Sequence, residues 1–277
     1  MTTYSVARGH LTMPQALAAA ARNPGADVID VRAAKVAPFV VKDGSVTILG
    51  NGAEIDASGR TYGIVVDAPW VKIIGFDVHG SLGGAIVVKD HHSTVADNEV
   101  RDGSGSGIVV MKTDYATVRH NYVHDLDGPR AVAGITVWQP IEVTGYADLW
   151  ARIKIIGNIV EGIHQGGKEG MSVMLDYNPM PQPYDHRALV EDNHGSDTDK
   201  GMMAFGADDF VFRDNVSEDV DQGGAYRFRG SCGLVEDNLA VGPIGYVEMG
   251  TQNEITYHGN EHVGVQAATL HIQDWIL

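Results

Sequence analysis

The sequence predicts an all-β solenoid, in which short strands stack coil upon coil, and two recurring phrases predict it. The first is an apolar residue, two variable residues and Asn. Its last positions are Asn51, Phe76 (in place of Asn), Asn98, Asn121, Asn158, Asn193, Asn215, Asn238 and Asn260. Most neighbouring copies lie about 22 residues apart, a period typical of solenoids. The second phrase is a Gly, once an Ala, that begins an apolar strand. It occurs in step with the first, at Gly63, Ala85, Gly107, Gly134, Gly170, Gly201, Gly224 and Gly245.

Strands rather than helices are expected within each repeat. β-branched residues are enriched in the short apolar segments, and Gly or Asp occupies the turns between them. The regularly spaced Leu of leucine-rich repeats and the 3.6-residue periodicity of helical repeats are both missing. The period therefore predicts a right-handed parallel β-helix of about nine or ten coils, with three short strands in each coil.

The N-terminal residues are predicted to close one end of the solenoid with a short helix. Thr12 can cap a helix over residues 12–22, with Gln15 three residues later, and Asn-Pro-Gly at 23–25 ends it. Such a helix covers the open strand edge of a first coil.

After this helix, the first strands are expected at Asp27–Val31 and Val36–Val41. We expect one domain over residues 1–277, with an N-terminal cap at 1–25, coils at 26–265 and a C-terminal cap at 266–277.

The repeated Asn residues are expected to be structural. At the same turn of successive coils, side-chain amides can hydrogen-bond up and down the stack, as they do in Asn ladders. The acidic residues just before them are expected to be solvated or to cap turns; they are Asp97, Asp192, Asp214 and Asp237.

Composition and charge exclude several classes of function. The net charge of −16 argues against a nucleic-acid partner, because this surface would repel phosphates. No apolar run approaches the roughly 18 residues of a membrane span, so no membrane partner is expected. The single Cys232 excludes an internal disulfide framework. The first ten residues have no hydrophobic signal core, so the expected secreted or cell-surface location rests on function alone.

Two consecutive coils are longer than the others. From the strand-leading Gly to the Asn of the same coil, residues 107–121 and 201–215 span 14 positions, whereas 134–158 span 24 and 170–193 span 23. In repeat proteins, enlarged loops gather on one face and often bind ligands. We therefore expect the functional site beside these coils, with the insertions at 138–150 and 176–187.

The enlarged coils and a later strand supply the candidate substrate-binding residues. These are Trp138, Tyr146, Trp150, Lys168, Tyr184, Arg187 and Arg229. Aromatic faces can stack on sugar rings, and Arg or Lys can bind uronate carboxylates. The alternative is that the insertions only cover the side of the solenoid and that their aromatic residues anchor them by packing.

Arg227 and Arg229 leave the same face of one predicted strand. If that face is outward, they form a basic patch. If it is inward, Arg227 and Glu248 of the next coil form a buried ion pair. The alternation of residues leaves both alternatives open, because both faces of the early strands are aliphatic.

The phrases GIVV and V-x-x-N-x-V resemble the right-handed β-helix superfamily of pectate lyases, alginate lyases, mannuronan C5-epimerases and phage tailspikes. The resemblance covers about 45–265, and 207–230 (ADDFVFRDNVSEDVDQGGAYRFRG) and 184–193 (YDHRALVEDN) look most similar to the catalytic module of alginate epimerases. It implies a β-helix that acts on polysaccharides. The Asp-Pro-His-Glu motif of those epimerases is reduced here to Asp185-His186. Calcium-dependent lyases have a Lys and an Arg one coil apart. That pair is also missing here, since Arg227 has Ala204 in the preceding coil.

Two hypotheses of function follow. The first is a polysaccharide lyase or C5-epimerase, favoured over a glycoside hydrolase, that removes the C5 proton of a uronate-containing polysaccharide. Its candidate catalytic residues are Tyr177, His186, Lys200 and Arg227. Either Tyr177 or Tyr184 acts with His186 as acid and base, and Lys168, Lys200, Arg187 and Arg227 neutralise charge, without a cofactor or with Ca²⁺. The second hypothesis is a non-catalytic glycan-binding, tailspike-type or assembly module, which forms a homo-oligomer through an apolar sheet face.

Overall fold

The computed structural model describes residues 1–111, 113–129, 133–138, 152–166, 170–176, 187–221, 224–249, 253–264 and 267–272. Within these ranges the chain forms one short helix and a parallel β-solenoid, and every strand pairing is parallel. No helix among them is long and apolar enough to span a membrane.

The strands stack in three columns, of which the first is a separate ten-stranded sheet, here called the Gly-led sheet. Its strands are β3 (Phe39–Val41), β5 (Ile64–Val66), β7 (Ile86–Val88), β10 (Ile108–Met111), β13 (Ala133–Trp138), β16 (Met171–Asp176), β19 (Met202–Phe205), β22 (Tyr226–Arg229), β25 (Ile244–Met249) and β28 (Ala267–Ile272). Its ten strands correspond to about ten coils, as the sequence predicts.

The other two columns form one bent sheet. One column contains β1 (Thr3–Val6), β2 (Asp27–Val31), β4 (Val46–Asp56), β6 (Lys72–His79), β8 (Thr94–Ala96), β11 (Thr117–Arg119), β14 (Lys154–Ile156), β17 (Leu189–Glu191), β20 (Phe210–Arg213), β23 (Cys232–Glu236) and β26 (Glu254–His258). The other contains β9 (Glu99–Arg101), β12 (Tyr122–Asp127), β15 (Ile159–His164), β18 (His194–Thr198), β21 (Val216–Ser217), β24 (Leu239–Val241) and β27 (Glu261–Val263). The second halves of the long strands β4 and β6 also belong to it.

The predicted helix is present as α1 (Met13–Ala20), shorter than expected at both ends. Gln15 Oε1 accepts a hydrogen bond from the Thr12 backbone N–H at 2.9 Å, which is half of a capping box. Met13 and Ala16 are buried against the first coil. Strand β1, which the sequence did not predict, precedes α1 and pairs with β2.

The Asn ladder is confirmed from Asn98 to Asn260. In its middle, the backbone N–H and the side-chain amide of Asn121 both donate to Asn158 Oδ1, each at 2.9 Å. Asn158 donates in turn to Asn193 Oδ1 at 2.9 Å and to the Val118 carbonyl at 3.1 Å. The ladder therefore pairs backbone groups that would otherwise be buried without partners.

The prediction that Asn51 occupies the first position of the ladder is wrong. The register between β4 and β6 shifts between Leu49 and Ala53, so Ala53 rather than Asn51 pairs with Phe76. Asn51 is exposed and its side-chain amide donates to Asp30 Oδ1 at 2.8 Å. A bulge thus moves Asn51 out of the column.

Successive coils approach closely at Gly105. A Cβ atom at this position would lie 1.8 Å from the backbone oxygen of Gly83 in the preceding coil. Both groups are backbone, so neither can rotate away. A residue without a side chain is therefore required here.

Candidate functional site

The outer face of the Gly-led sheet carries one continuous column of side chains in register. From the first coil it contains Val40, Val65, Val87, Val109, Thr136, Met174, Met203, Arg227 and Val247. Val40 is 43% exposed, whereas its neighbours Phe39 and Val41 are buried, so this column faces outward. The column is apolar except at Thr136 and Arg227.

Arg227 lies on this outer face although it is only 8% exposed. Its Nη2 approaches Met249 Sδ at 3.3 Å. Glu248 is in register with the fully buried Phe228, and it accepts a hydrogen bond from the Tyr257 hydroxyl at 2.8 Å. Because Arg227 and Glu248 leave opposite faces of the sheet, the register excludes the expected inward alternative.

A second outward column runs along the C-terminal ends of the same strands. It contains Met111, Trp138, Asp176, Phe205, Arg229 and Met249. Trp138 is 39% exposed, and the Arg229 guanidinium lies 5.0 Å from the Phe205 ring centroid. The structure therefore places the predicted Trp138 and Arg229 in one column, about 14 Å apart at three strand steps. Arg227 lies in the column beside them.

Lys200 and Arg187 lie at opposite ends of the Gly-led strands. Lys200 precedes β19, pairs with Met171 through an isolated bridge and is half-buried. Arg187 lies just before β17, beyond the C-terminal end of the Gly-led strand β16. Its Nε is 3.4 Å from Asp209 Oδ2, and both side chains are exposed. Such a surface ion pair contributes little to stability.

Six of the expected site residues lie outside the described residues: Tyr146, Trp150, Lys168, Tyr177, Tyr184 and His186. Their roles stay predictions.

A titratable column lies just before the N-terminal ends of the Gly-led strands, where the preceding strands of the bent sheet end. It contains Asp127, His164, Asp199 and Asp221 in successive coils. Asp199 is fully buried. Its Oδ2 accepts the backbone N–H of Gln165 at 2.7 Å and of Gly170 at 2.9 Å, and its Oδ1 lies 3.2 Å from His164 Nδ1.

The surroundings of this His–Asp pair shift both pKa values toward the charged forms. Burial, the largest single influence, opposes the charge on each group. The N–H groups of Gln165 and Gly170 and the His164 ring nevertheless hold the pKa of Asp199 below its usual value. The hydrogen bond that the imidazole donates to Asp199 and the charges of Asp197 and Asp221 raise the pKa of His164. His164 Nε2 is 3.6 Å from Asp197 Oδ1.

Comparison with known proteins agrees with this architecture. Residues 62–179 match a family model described as a right handed beta helix region. No curated protein matches the chain. The chain is a right-handed parallel β-helix.

Three solved structures illustrate how far the likeness of this β-helix extends. The GH136 lacto-N-biosidase from Eubacterium ramulus is 11% identical, with a TM-score of 0.58, over 98% of this chain and 67% of the other. The alginate lyase from a Paenibacillus species is 15% identical, with a TM-score of 0.46, over 95% and 99%. The A-module of a mannuronan C-5 epimerase from Azotobacter vinelandii is 16% identical, with a TM-score of 0.41, over 93% of each. The likeness to the lacto-N-biosidase shows the fold alone and leaves the reaction open.

The described residues of the β-helix favour proton-transfer and anion-binding chemistry. Arg227 and Arg229 supply guanidinium groups to the outer face of the sheet, which suits a carboxylate. Asp199 holds the His164 imidazole through one ring nitrogen, an arrangement that orients an imidazole for acid–base work. Both Asp199 oxygens already accept hydrogen bonds, so little of this carboxylate remains for a metal ion.

The sequence reasoning missed Asp199. It lies in a polar turn, SDTDK, where acidic residues are expected in any case. The signal that could have found it is the ladder itself. Asp199 follows His164 by 35 residues, as Asn193 follows Asn158, so the two occupy the same position in consecutive coils.

Proposed function

We propose that this β-helix acts on a uronate-containing polysaccharide that lies along the outer face of the Gly-led sheet. The proposed reaction begins with removal of the C5 proton and ends either in elimination or in C5 epimerisation. The observation that supports it is Arg227, an arginine on the outer face of the sheet of a protein whose net charge is −16. Such a cation in an acidic protein is well suited to an anionic group of a ligand.

Neutralising the uronate carboxylate is the step that Arg227 would assist. The proton on C5 is adjacent to the carboxylate, and negative charge accumulates on the carboxylate oxygens when that proton leaves. A guanidinium group placed against them stabilises this charge, most strongly where water is excluded. The low exposure of Arg227 provides such a setting. Arg229, which is exposed and rests on Phe205, would bind a neighbouring sugar of the chain.

The proposed reaction also needs a base, together with an acid that protonates the other face or the leaving oxygen. Tyr177 or Tyr184 and His186 remain our proposed pair. The His164–Asp199 pair adds a second imidazole, at the N-terminal ends of the same sheet, whose ring is already oriented by a buried carboxylate. With a raised pKa, His164 is suited to donate a proton.

A panel of polymers tests the proposal. The protein is incubated with polymannuronate, polyguluronate, pectate and glycosaminoglycans, and the absorbance of unsaturated uronate products is followed. Product formation on one polymer, lost in Arg227→Ala and kept in Arg213→Ala, is expected for a lyase, because Arg213 lies on the bent sheet and pairs with Glu191. An epimerase gives no absorbance but changes the ratio of the two uronates in the NMR spectrum of the polymer. The absence of both changes on every polymer would contradict the proposal.

The proposed reaction proceeds either without a cofactor or with Ca²⁺. Ca²⁺ binds oxygen ligands and would reduce repulsion between the acidic protein and a polyuronate. The assay is run with added Ca²⁺ and with a chelator. Activity only in the presence of Ca²⁺ supports a role for the ion, and equal activity in both shows that the arginines suffice.

Because this substrate is an extracellular polymer, we propose a secreted or cell-surface location.

A non-catalytic module is the second candidate function, and the valine column favours it. Val40, Val65, Val87 and Val109 form an apolar column on the outer face of the first coils, in which Val40 is 43% exposed and the other three are buried. The exposed end of this column, at Val40, can pack against a second copy of the chain. Concentration-dependent dimerisation by light scattering, abolished by Val40→Asp, would support this function if the polymer panel gives binding without turnover.

A further inference from the structure

A stack of aromatic rings runs up the turn that follows the Gly-led strands. The rings of Trp70 and His92 have centroids 3.9 Å apart, and those of His92 and Tyr115 lie 4.7 Å apart at an interplanar angle of 12°. The Arg152 guanidinium lies 5.8 Å from the centroid of the Tyr115 ring. The imidazole of His92 is therefore held between two larger rings and has little freedom to rotate.

Two further ligand-type side chains lie beside this fixed imidazole. His91 precedes His92 in the chain, and Asp114 comes from the next coil. One potential ligand atom from each of His91, His92 and Asp114 lies within 4.8 Å of the other two. The backbone joins them as well, since His92 N–H donates to the Asp114 carbonyl at 3.2 Å.

The surroundings of the two histidines suit metal ligation. His91 Nδ1 lies 2.9 Å from Asp90 Oδ1, and a carboxylate at this distance favours a proton on Nδ1 and a lone pair on Nε2. A carboxylate beside the other ring nitrogen is common for ligating histidines. His92 Nδ1 is buried and has no hydrogen-bond partner in the described part of the chain. A buried ring nitrogen without a partner is unusual and calls for a ligand.

Two other groups of His and acidic residues meet the same distance criterion but fit an ion less well. In the group of His164, Asp199 and Asp221, both Asp199 oxygens are occupied by protein hydrogen bonds. The group of Glu236, Asp237 and His258 has one imidazole, and two of its three residues are exposed. Only the His91 group, of these three, combines two imidazoles with a fixed ring.

We propose that His91, His92 and Asp114 bind a divalent transition-metal ion such as Zn²⁺. Two imidazoles and one carboxylate are ligands that suit zinc, nickel, cobalt or copper rather than calcium or magnesium. Three protein ligands leave a fourth position of a tetrahedral site for water or another small ligand. This site is separate from the outer face of the Gly-led sheet, so it stands or falls independently of the proposed polysaccharide chemistry.

Metal titration of the protein without an affinity tag tests this site. After dialysis against a chelator, Zn²⁺ is titrated by calorimetry and Co²⁺ by visible absorption. We expect one ion per chain and the intense d–d bands of a four-coordinate cobalt site. His91→Ala and Asp114→Asn should abolish this binding, and Asp90→Asn, which keeps all three ligands, should weaken it about 10- to 100-fold. His258→Ala is the matched control and should bind as the wild type does.

A second readout separates this site from weak binding to the acidic surface. Trp70 stacks directly on His92, so Cu²⁺ or Ni²⁺ at the site should quench its fluorescence. Trp70→Phe should bind the ion with unchanged stoichiometry and lose the quenching. Less than one Zn²⁺ per chain, or equal binding by His91→Ala and the wild type, would overturn the proposal.

Discussion

The Nδ1 atom of His164 lies 3.2 Å from Oδ1 of Asp199, whose carboxylate is completely buried between consecutive coils. This pair depends on pH in two opposite ways. The raised pKa of His164 stabilises the fold below the unfolded pKa of about 6.5, and this contribution is lost as the pH rises through the folded pKa. The lowered pKa of Asp199 stabilises the fold above about 3.9, and this is lost as the pH falls through its folded pKa.

We predict that Asp199→Asn lowers both the stability and the pKa of His164. The amide retains the shape of the carboxylate, and its oxygen can replace Oδ2 as the acceptor of the Gln165 and Gly170 N–H groups. Its NH₂ group then faces His164 Nδ1 in place of the charged carboxylate oxygen. We expect a loss of about 2 kcal/mol of unfolding free energy, largest between about pH 4 and 6.5 and smaller above as His164 deprotonates. Urea unfolding across this range measures the loss, and NMR titration measures the pKa. A His164 pKa equal to that of the wild type would refute the coupling.

We predict that Asn158→Ala, in the buried middle of the Asn ladder, is more damaging than Asn260→Ala at its end. It removes the acceptor of the Asn121 backbone N–H and leaves the Val118 and Ile156 carbonyls without their amide donor, all in the buried interior. We expect a loss of about 3 kcal/mol. Asn260→Ala, at the half-buried end of the ladder, is the matched control and should cost about 1 kcal/mol. Similar urea midpoints for the two variants would contradict the argument that burial sets the cost of the lost hydrogen bonds.

We predict that Gly105→Ala is far more disruptive than an alanine at an open glycine. Its Cβ would lie 1.8 Å from the Gly83 oxygen, so the two coils must separate, which should cost at least about 3 kcal/mol. At Gly52 no atom lies within 4 Å, and the φ of +77° makes Ala there costly by about 1 kcal/mol. Thermal unfolding of the two variants compares them. Equal melting temperatures would contradict the coil spacing.

The periodicity of the sequence predicts most of the fold, because stacked coils require the same residue types at the same positions of each repeat. An inward Asn that bonds its counterpart in each coil leaves a mark at every repeat, and so does a Gly that starts each strand of one sheet. Asn51 matched the phrase but not the position, because a bulge in β4 shifts the register and the phrase does not encode the bulge.

Less of the candidate site could be predicted, since the direction of a side chain depends on its own turn. Lys200 and Arg187 were grouped from their charge, yet they lie at opposite ends of the Gly-led strands. Arg227 could not be assigned to a face until the valine column gave the register. In the sequence, Asp199 resembles a solvated turn residue. Only its alignment with His164 across the coils indicates that the two side chains meet.

We predict that Arg227 dominates the affinity for polyuronates. Arg227→Ala should weaken binding at least tenfold, whereas Arg229→Ala, at an exposed position, should weaken it less. Arg227→Lys should restore part of the affinity because it keeps the charge but not the two parallel hydrogen bonds. Arg213→Ala is the control, since that side chain lies on the bent sheet and pairs with Glu191. Binding is measured by calorimetry, with melting temperatures to verify folding. Equal loss in Arg213→Ala and Arg227→Ala would indicate a nonspecific effect of charge.

Deuterium incorporation at C5 tests the proposed proton abstraction most directly. The uronate polymer that binds is incubated with the protein in heavy water, and its C5 positions are followed by NMR. We predict that the wild type introduces deuterium at C5 of the remaining or converted sugars, or releases unsaturated ends, and that Arg227→Ala does so at least about 100-fold more slowly. Tight binding by the wild type, with neither exchange nor cleavage on any bound polymer, would contradict the proposal and leave a binding module.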